Sequence, residues 1–313
     1  MLSVGTLPVL FLNDIQLSDM MHSQTAFTLV NQQNGNLAFK LFSFDDNSCF
    51  DHIQRNNYFT LIWVMEGTGK VRADFAEYSF ENNSLFSFSP YQPYMFFDTK
   101  NIKGVSIHFH SDFFCILKHH KEVSCNGMLF NNIYNPPITT IDQNSRGRLQ
   151  LLLEQMKSEM QNPDLAQYEL LVSYLKIFLI TVTRLKAQQQ PEEQIVSGEN
   201  KQPFVLQKLK DSIEEHFKAK HSASDYADLL NISSKALAKI TKTHFNKTLT
   251  DLIAERIIIE AKRELYLTNK PVKEIAGYLG YEDEHYFSRF FKTNADISPQ
   301  LYRDTVGFGR GVA

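Results

Sequence analysis

Cysteine is scarce. The three residues present, Cys49, Cys115 and Cys125, are odd in number and stand at no metal-ligand spacing. That argues against a disulfide scaffold and suits a reducing compartment. Long apolar runs are lacking too. No stretch reaches the ~18 residues a membrane helix needs, and the longest candidate, Tyr174 to Val182, is interrupted by Lys176. The apolar start, MLSVGTLPVLFLNDIQ, has no basic residue ahead of it and no small-residue cleavage site, so it does not read as a signal peptide. A cytoplasmic protein with no membrane partner is expected. Positive charge is not in excess either: the net charge is −3, which speaks against a protein that works by blanket phosphate neutralisation. No nucleophile motif, phosphate loop or pair of catalytic carboxylates stands out, so neither an enzyme nor a cofactor is expected.

What is present divides in two. A chain of 313 residues exceeds one comfortable core. Its charge is unevenly spread: residues 201–303 hold 17 Lys and Arg against 14 Asp and Glu, and the first 200 hold 14 against 20. The sign is right for a C-terminal part that meets phosphate.

From Leu37 to about Phe109 the texture is that of strands. Phe59–Met65 and Lys70–Phe75 flank Glu66-Gly67-Thr68-Gly69, which reads as a turn, and Ser84–Ser89 and Gly104–Phe109 follow after Asn and Pro punctuation. Short aromatic and β-branched runs between regular turn signals predict a small sandwich or barrel over residues 1–140. From Asp142 the period changes. Leu149, Leu152, Leu153, Met156 and Met160, then Leu170, Leu171, Tyr174, Leu175, Phe178 and Leu179, recur at three and four. They predict a helical hairpin over 141–186, broken at Pro163-Asp164, which either docks on the barrel or forms a dimer seam. The polar stretch 187–203, with Gln188-Gln-Gln-Pro-Glu-Glu193, reads as a linker. Helical pattern then fills 204–303, and 304–313 reads as a tail.

That last region contains one unit twice. The first copy runs Ser224-Asp-Tyr-Ala-Asp-Leu-Leu-Asn-Ile-Ser-Ser-Lys-Ala-Leu-Ala-Lys-Ile240; the second runs from Val272 through Ile275-Ala-Gly-Tyr-Leu-Gly-Tyr-Glu-Asp-Glu-His-Tyr-Phe-Ser-Arg-Phe290. Two short helices crossing steeply need a small residue at the contact, here Ala227 and Ala276. The tight turn wants a positive φ, which Gly280 supplies freely and Asn231 tolerates. Ser233 or Ser234, and Asp283, are suitable caps for the second helices. Leu237 and Ile240, and Phe287, Phe290 and Phe291, are their apolar anchors. A long helix from Asp251 to about Thr268 joins the copies, with Glu255, Arg256, Glu260, Lys262, Arg263 and Glu264 on its polar face.

With these residues in view, 204–303 resembles the DNA-binding domain of the AraC/XylS family of transcription regulators. The stretch Ile275–Lys292 and the ending Ile297-Ser-Pro-Gln-Leu-Tyr-Arg303 carry the resemblance. The first unit departs from the pattern, with Thr241 and Asn246 where the family often has an aromatic and then basic residues plus Gly. The resemblance implies a multidomain α+β protein: a cupin-like β-barrel or jelly roll with a helical hairpin in front, and an all-α domain with two helix-turn-helix units behind. It implies base-contacting positions at Lys235, Ala238, Lys239 and Lys242 on the first reading helix, and at Glu284, His285, Ser288, Arg289 and Lys292 on the second. Arg289 suits guanine, because a guanidinium holds O6 and N7 together. Lys235 and Lys239 read guanine or hold phosphate; Glu284 and His285 contact the duplex or face solvent. Lys242, Lys247 and Lys292 are backbone clamps.

The expected partners are double-stranded DNA, RNA polymerase, a second copy of the chain and an unnamed small-molecule effector. In the front domain Trp63, Tyr91, Tyr94 and Phe96 are candidates to line an effector pocket or are simply core aromatics. His108-Phe-His110, with Asp112 and His52 nearby, is the one pattern that resembles a cupin metal set, and it lacks the expected Glu; no metal is expected. Two other readings compete with an effector-responsive activator: a cupin-type metal enzyme tethered to DNA, and a non-specific architectural DNA-binding protein.

Overall fold

The computed structural model describes residues 26–31, 35, 37–116, 127–189 and 201–306. Its first half holds seven strands: β1 (Ala26–Val30), β2 (Leu37–Phe44), β3 (Phe59–Ala73), β4 (Ala76–Phe80), β5 (Ser84–Phe88), β6 (Tyr94–Phe109) and β7 (Ile138–Thr140). They form one antiparallel sheet in the order β1-β2-β6-β3-β5-β7, with β4 paired to β3. Strands β1 and β7 lie outside the Leu37–Phe109 stretch of strand texture, though within the 1–140 domain expected.

Two very long strands, β3 and β6, give the sheet its shape. Residues 60–64 of β3 pair with β5 and with Gly104–His108 of β6; residues 69–73 pair with β4, and 70–73 also with Tyr94–Phe97. Between these stretches the register slips at Val64, Glu66 and Thr68. Glu66–Gly69 is therefore a bulged bend inside one strand, not the turn the glycines suggest. Gly67 sits there at φ +103, and a Cβ on it would lie 2.6 Å from the Ile102 Cα, so a side chain has no room.

The bent sheet packs on both faces. Phe42, Phe50, Ile62, Phe86, Phe88 and Phe96 form an aromatic interior, with ring centroids as close as 4.0 Å for Phe88 and Tyr94. The other face, including Phe39, Leu61, Trp63 and Ile107, is covered by α1 (Gln143–Gln161) and α2 (Gln167–Gln189) through Leu149, Leu153, Met156, Leu175 and Phe178. The hairpin therefore docks on the sheet. Asp142 starts α1 by accepting from the Ser145 amide at 2.8 Å. Lys186 near the end of α2 donates to the carbonyls of Pro136 (2.6 Å) and Ile138, and burial pushes its ammonium down to about 8.

The second half is helical: α3 (Lys201–His216), α4 (Ala223–Leu230), α5 (Ser234–Phe245), α6 (Leu249–Leu267), α7 (Val272–Tyr278), α8 (Glu284–Ala295) and α9 (Pro299–Val306). The middle of the expected linker lies outside the described residues; its ends, at Gln189 and Lys201, are helical. Nor is 304–306 a loose tail, because α9 continues and buries Val306 in the same core as Leu209, Leu252, Ile257 and Phe291.

His108 is a polar residue fully enclosed by the β-domain. Its Nε2 lies 2.9 Å from the Ser106 hydroxyl, and its ring stacks on Tyr58 at 4.6 Å. Burial, with the nearby Lys40 charge, pushes the imidazole down to about 3 from an ordinary 6.5. The folded protein thus holds the ring neutral where the unfolded chain protonates it. That contribution to stability is complete above pH 6.5 and is lost as pH falls toward 3. Denaturant midpoints of the wild type are expected to fall through that window, and those of His108→Gln to fall less. An unchanged slope would assign the acid sensitivity to other groups.

Candidate nucleic-acid interface

Each helix-turn-helix unit is fixed by a few backbone requirements. In the first, Ser222 caps α4 in a reciprocal box with Asp225, Asn231 takes the turn at φ 53, and Ser233 caps α5 by accepting from the Ala236 amide. In the second, Pro271 precedes α7, Gly280 turns at φ +84, and Asp283 caps α8 by accepting from the His285 amide at 2.8 Å. Ala227 and Ala276 are buried at the crossings, and Leu237, Phe287 and Phe291 are completely enclosed. Ile240 and Phe290 are only half-buried, so each reading helix hangs on fewer anchors than its pattern offers. Both units share α6, which packs against α5, α7 and α8. The ending Tyr302-Arg303 has a structural purpose: Tyr302 is buried, and Arg303 donates to the carbonyls of Leu265 (3.2 Å) and Lys270 (2.7 Å), tying α9 to the end of α6.

The positions assigned to DNA are available. Lys235, Ala238, Lys239 and Lys242 on α5 are exposed, as are His285, Arg289 and Lys292 on α8, and Glu284 and Ser288 are half-exposed. Among the described residues Lys235, Lys239, Arg289 and Lys292 make no side-chain hydrogen bond or ion pair. An unpaired cation on the outer face of a reading helix is what phosphate and guanine require. Lys242 is partly engaged, donating to the carbonyl of Asn246 at 3.3 Å. Lys247 is different from what its charge suggests. It is buried, pairs with Glu255 at 2.8 Å and donates to the Ile133 carbonyl, so it is turned away from any duplex. Tyr286, 58% exposed in the first turn of α8, is a further candidate contact; its place three residues before Arg289 was the available signal.

Most of the polar face of α6 is withdrawn from solvent, Arg263 being the exposed exception. Glu255, Glu260 and Glu264 are buried, and Arg256 bridges Glu214 (2.8 Å) and Glu260 (3.3 Å) while lying 4.0 Å from the Phe217 ring. This face lies under the β-domain. Lys262 donates to the Pro90 carbonyl at 2.9 Å, and burial pushes its ammonium down to about 8. The hydroxyl of Tyr266 donates to the Ser111 carbonyl at 3.5 Å. Thr305 of α9 is held three times: Asn57 donates to its carbonyl at 3.0 Å, His110 Nε2 donates to the same carbonyl at 3.1 Å, and Tyr91 shares a 2.6 Å hydroxyl bond with its side chain. A cavity of about 440 Å³ opens in this seam, walled by Ser89, Ser111, Glu214, Arg256, Lys262 and Tyr302 among others.

The four aromatic candidates for an effector pocket are not brought together. Trp63 belongs to the layer under the hairpin, Tyr94 and Phe96 to the aromatic interior, and Tyr91 to the seam. The histidines also separate. His108 is enclosed by Ser106 and Tyr58, His110 faces Thr305, and His52 is exposed beside Asp51. Among the described residues no three His, Cys, Asp or Glu stand together as a metal site.

A family model described as a helix-turn-helix domain matches residues 226–305. The regulatory protein SoxS of Escherichia coli (strain K12) is 32% identical over 99 residues, which are 32% of this chain and 92% of SoxS. The raffinose operon transcriptional regulatory protein RafR of Pediococcus pentosaceus is 32% identical over 95 residues, 30% of this chain and 34% of that protein. A solved structure, the C-terminal domain of the response regulator yesN from Fusobacterium nucleatum, shares 29% identity and covers 32% of this chain and 98% of its own, at a TM-score of 0.31. The chain therefore spans about a third of the raffinose regulator's length. Fold and site together define a protein with a double helix-turn-helix DNA-binding domain. Within that class the chain belongs to the AraC/XylS family of transcription regulators.

Two substitutions separate reading from clamping. Arg289→Ala is expected to cost roughly 1–3 kcal/mol on a specific site and to relax selectivity at one base pair, while Lys292→Ala weakens all duplexes alike and flattens the salt dependence. Equal losses on specific and random DNA for Arg289→Ala would remove its base-reading role. Gly280→Ala tests the fold beneath: its Cβ would lie 1.9 Å from the Lys218 carbonyl oxygen at a positive φ. Thermal unfolding should show a loss of more than about 2 kcal/mol; an unchanged melting temperature would contradict the tight turn.

Proposed function

We propose that the chain is a cytoplasmic, sequence-specific DNA-binding transcription regulator, an effector-responsive activator that acts as a homodimer and contacts RNA polymerase. The observation that carries the DNA-reading part is the pair of capped helices, α5 and α8, on one shared core, each presenting unpaired cations outward. Helices so placed enter successive major grooves about 34 Å apart. We divide the chain into a β sensor domain over 1–140, a hairpin over 141–186 and a DNA-binding domain from 204. Leu151, Leu165, Leu170 and Ile177 remain exposed on the hairpin after it has docked, which supports pairing through that face. The seam cavity supports effector control, because a molecule there would touch both domains at once; the aromatic filling of the β interior favours the seam over the barrel.

Selection of duplexes from a random pool by the full chain, followed by footprinting of the winner, tests this reading. Two short protected blocks one helical turn apart per protomer are expected. No enriched sequence, with the full chain and again with the segment from Lys201 onward, would overturn sequence-specific regulation.

A further inference from the structure

The ends of the two reading helices share an unusual arrangement. Asn246 closes α5 at φ 56 and Asp296 closes α8 at φ 66, both in the left-handed region that glycine occupies without cost. At each end a polar side chain stands where glycine would serve the backbone better, and each side chain reaches the β-domain. Asn246 Nδ2 donates to the Glu77 carbonyl in β4 at 3.1 Å. Asp296 Oδ2 accepts from Arg55 Nη1 at 3.0 Å. Between these points the tip of the β3–β4 hairpin meets α6. There Asp74, at φ 51, accepts from Gln92 at 2.6 Å and lies in the field of Lys247 and Lys262. The β-domain thus holds the trailing end of both reading helices and leaves Lys235, Lys239, His285 and Arg289 exposed.

We propose that the β-domain is part of the DNA-reading apparatus, and that through Asn246 and Asp296 it sets the separation and angle of α5 and α8. These two residues are positioning residues: they touch no base but fix the helices that do. The inference rests on the reading of the chain as a sequence-specific DNA binder and adds a function to the front domain. The physical need is plain. Two helices that must enter consecutive grooves together bind best when their relation is preset, because flexibility between them lowers the effective concentration of the second contact after the first is made. A tether at the cap adds a fixed point at the far end of each helix to the packing that its unit already provides. Asn246 tolerates the left-handed cap as Asn231 does, and its side chain is spent on the β-domain.

The double variant Asn246→Gly/Asp296→Gly isolates this role, since glycine keeps both left-handed caps and removes both tethers. Full-length wild type and variant would be titrated by fluorescence anisotropy against the selected duplex and against duplexes in which either block is scrambled. The expected result is about tenfold weaker binding to the complete site, with half-site affinities within about twofold of wild type and a melting temperature preserved. Equal losses on complete and half sites would reduce the tethers to local packing and overturn the proposal. So would unchanged binding, or tighter binding, which would make the β-domain a restraint on the readers. A wild type that prefers no duplex over random DNA would instead remove the proposed function itself, and this inference with it.

Discussion

Both halves of this molecule lean on one helix that is covered almost all round, with Arg263 left exposed on its polar face. Leu252, Ile253, Ile257, Ala261 and Leu265 of α6 form the common floor of both helix-turn-helix units, and its opposite face, with Glu255, Glu260 and Lys262, is covered by the β-domain. An amphipathic helix ordinarily turns its charged face to water. Here the carboxylates of that face are buried, so each must find a partner or shift its ionisation. Lys247 and Glu255, Arg256 with Glu214 and Glu260, and Arg263 with Glu260 supply the partners. Removing one member of the buried Lys247–Glu255 pair would strand the other, a cost of about 3–5 kcal/mol in comparable cases.

That enclosure explains what the sequence disclosed and what it hid. The helix-turn-helix units were legible because their constraints act on single residues: a small side chain at Ala227 and Ala276, a left-handed turn at Asn231 and Gly280, caps at Ser233 and Asp283. Each requirement leaves a residue type behind. The docking of the two domains leaves no such trace. The bond from Asn246 to the Glu77 carbonyl spans 169 positions and depends on no periodicity. Lys247 misled for a related reason, since a lysine near the end of a reading helix has the same letter whether it faces phosphate or a buried carboxylate. The bend at Glu66–Gly69 was misjudged because glycines that permit a turn permit a bulge equally well.

The β-domain follows a different logic. Strands β3 and β6 are long enough to belong to both arms of the bent sheet, so the wall of its aromatic interior is continuous with the hairpin whose tip meets α6. The interior is crowded with rings, and the open volume lies instead at the seam. A protein built this way keeps its open volume between the two domains, not at the centre of the β-domain.

The seam has one more property. Asn246, Lys247, Lys262 and Tyr266 reach out from the helical domain, and Asn57 and His110 reach back, and in all six cases the acceptor is a main-chain carbonyl: Glu77, Ile133, Pro90, Ser111 and, twice, Thr305. Any amino acid supplies that oxygen. Half of each of these six contacts is therefore indifferent to the identity of the residue that provides it, whereas Tyr91 with Thr305 and Arg55 with Asp296 meet side chain to side chain. Glu77, whose side chain is exposed, can change without loss of its bond, whereas Ile133, Pro90 and Ser111 are buried and are held by packing as well.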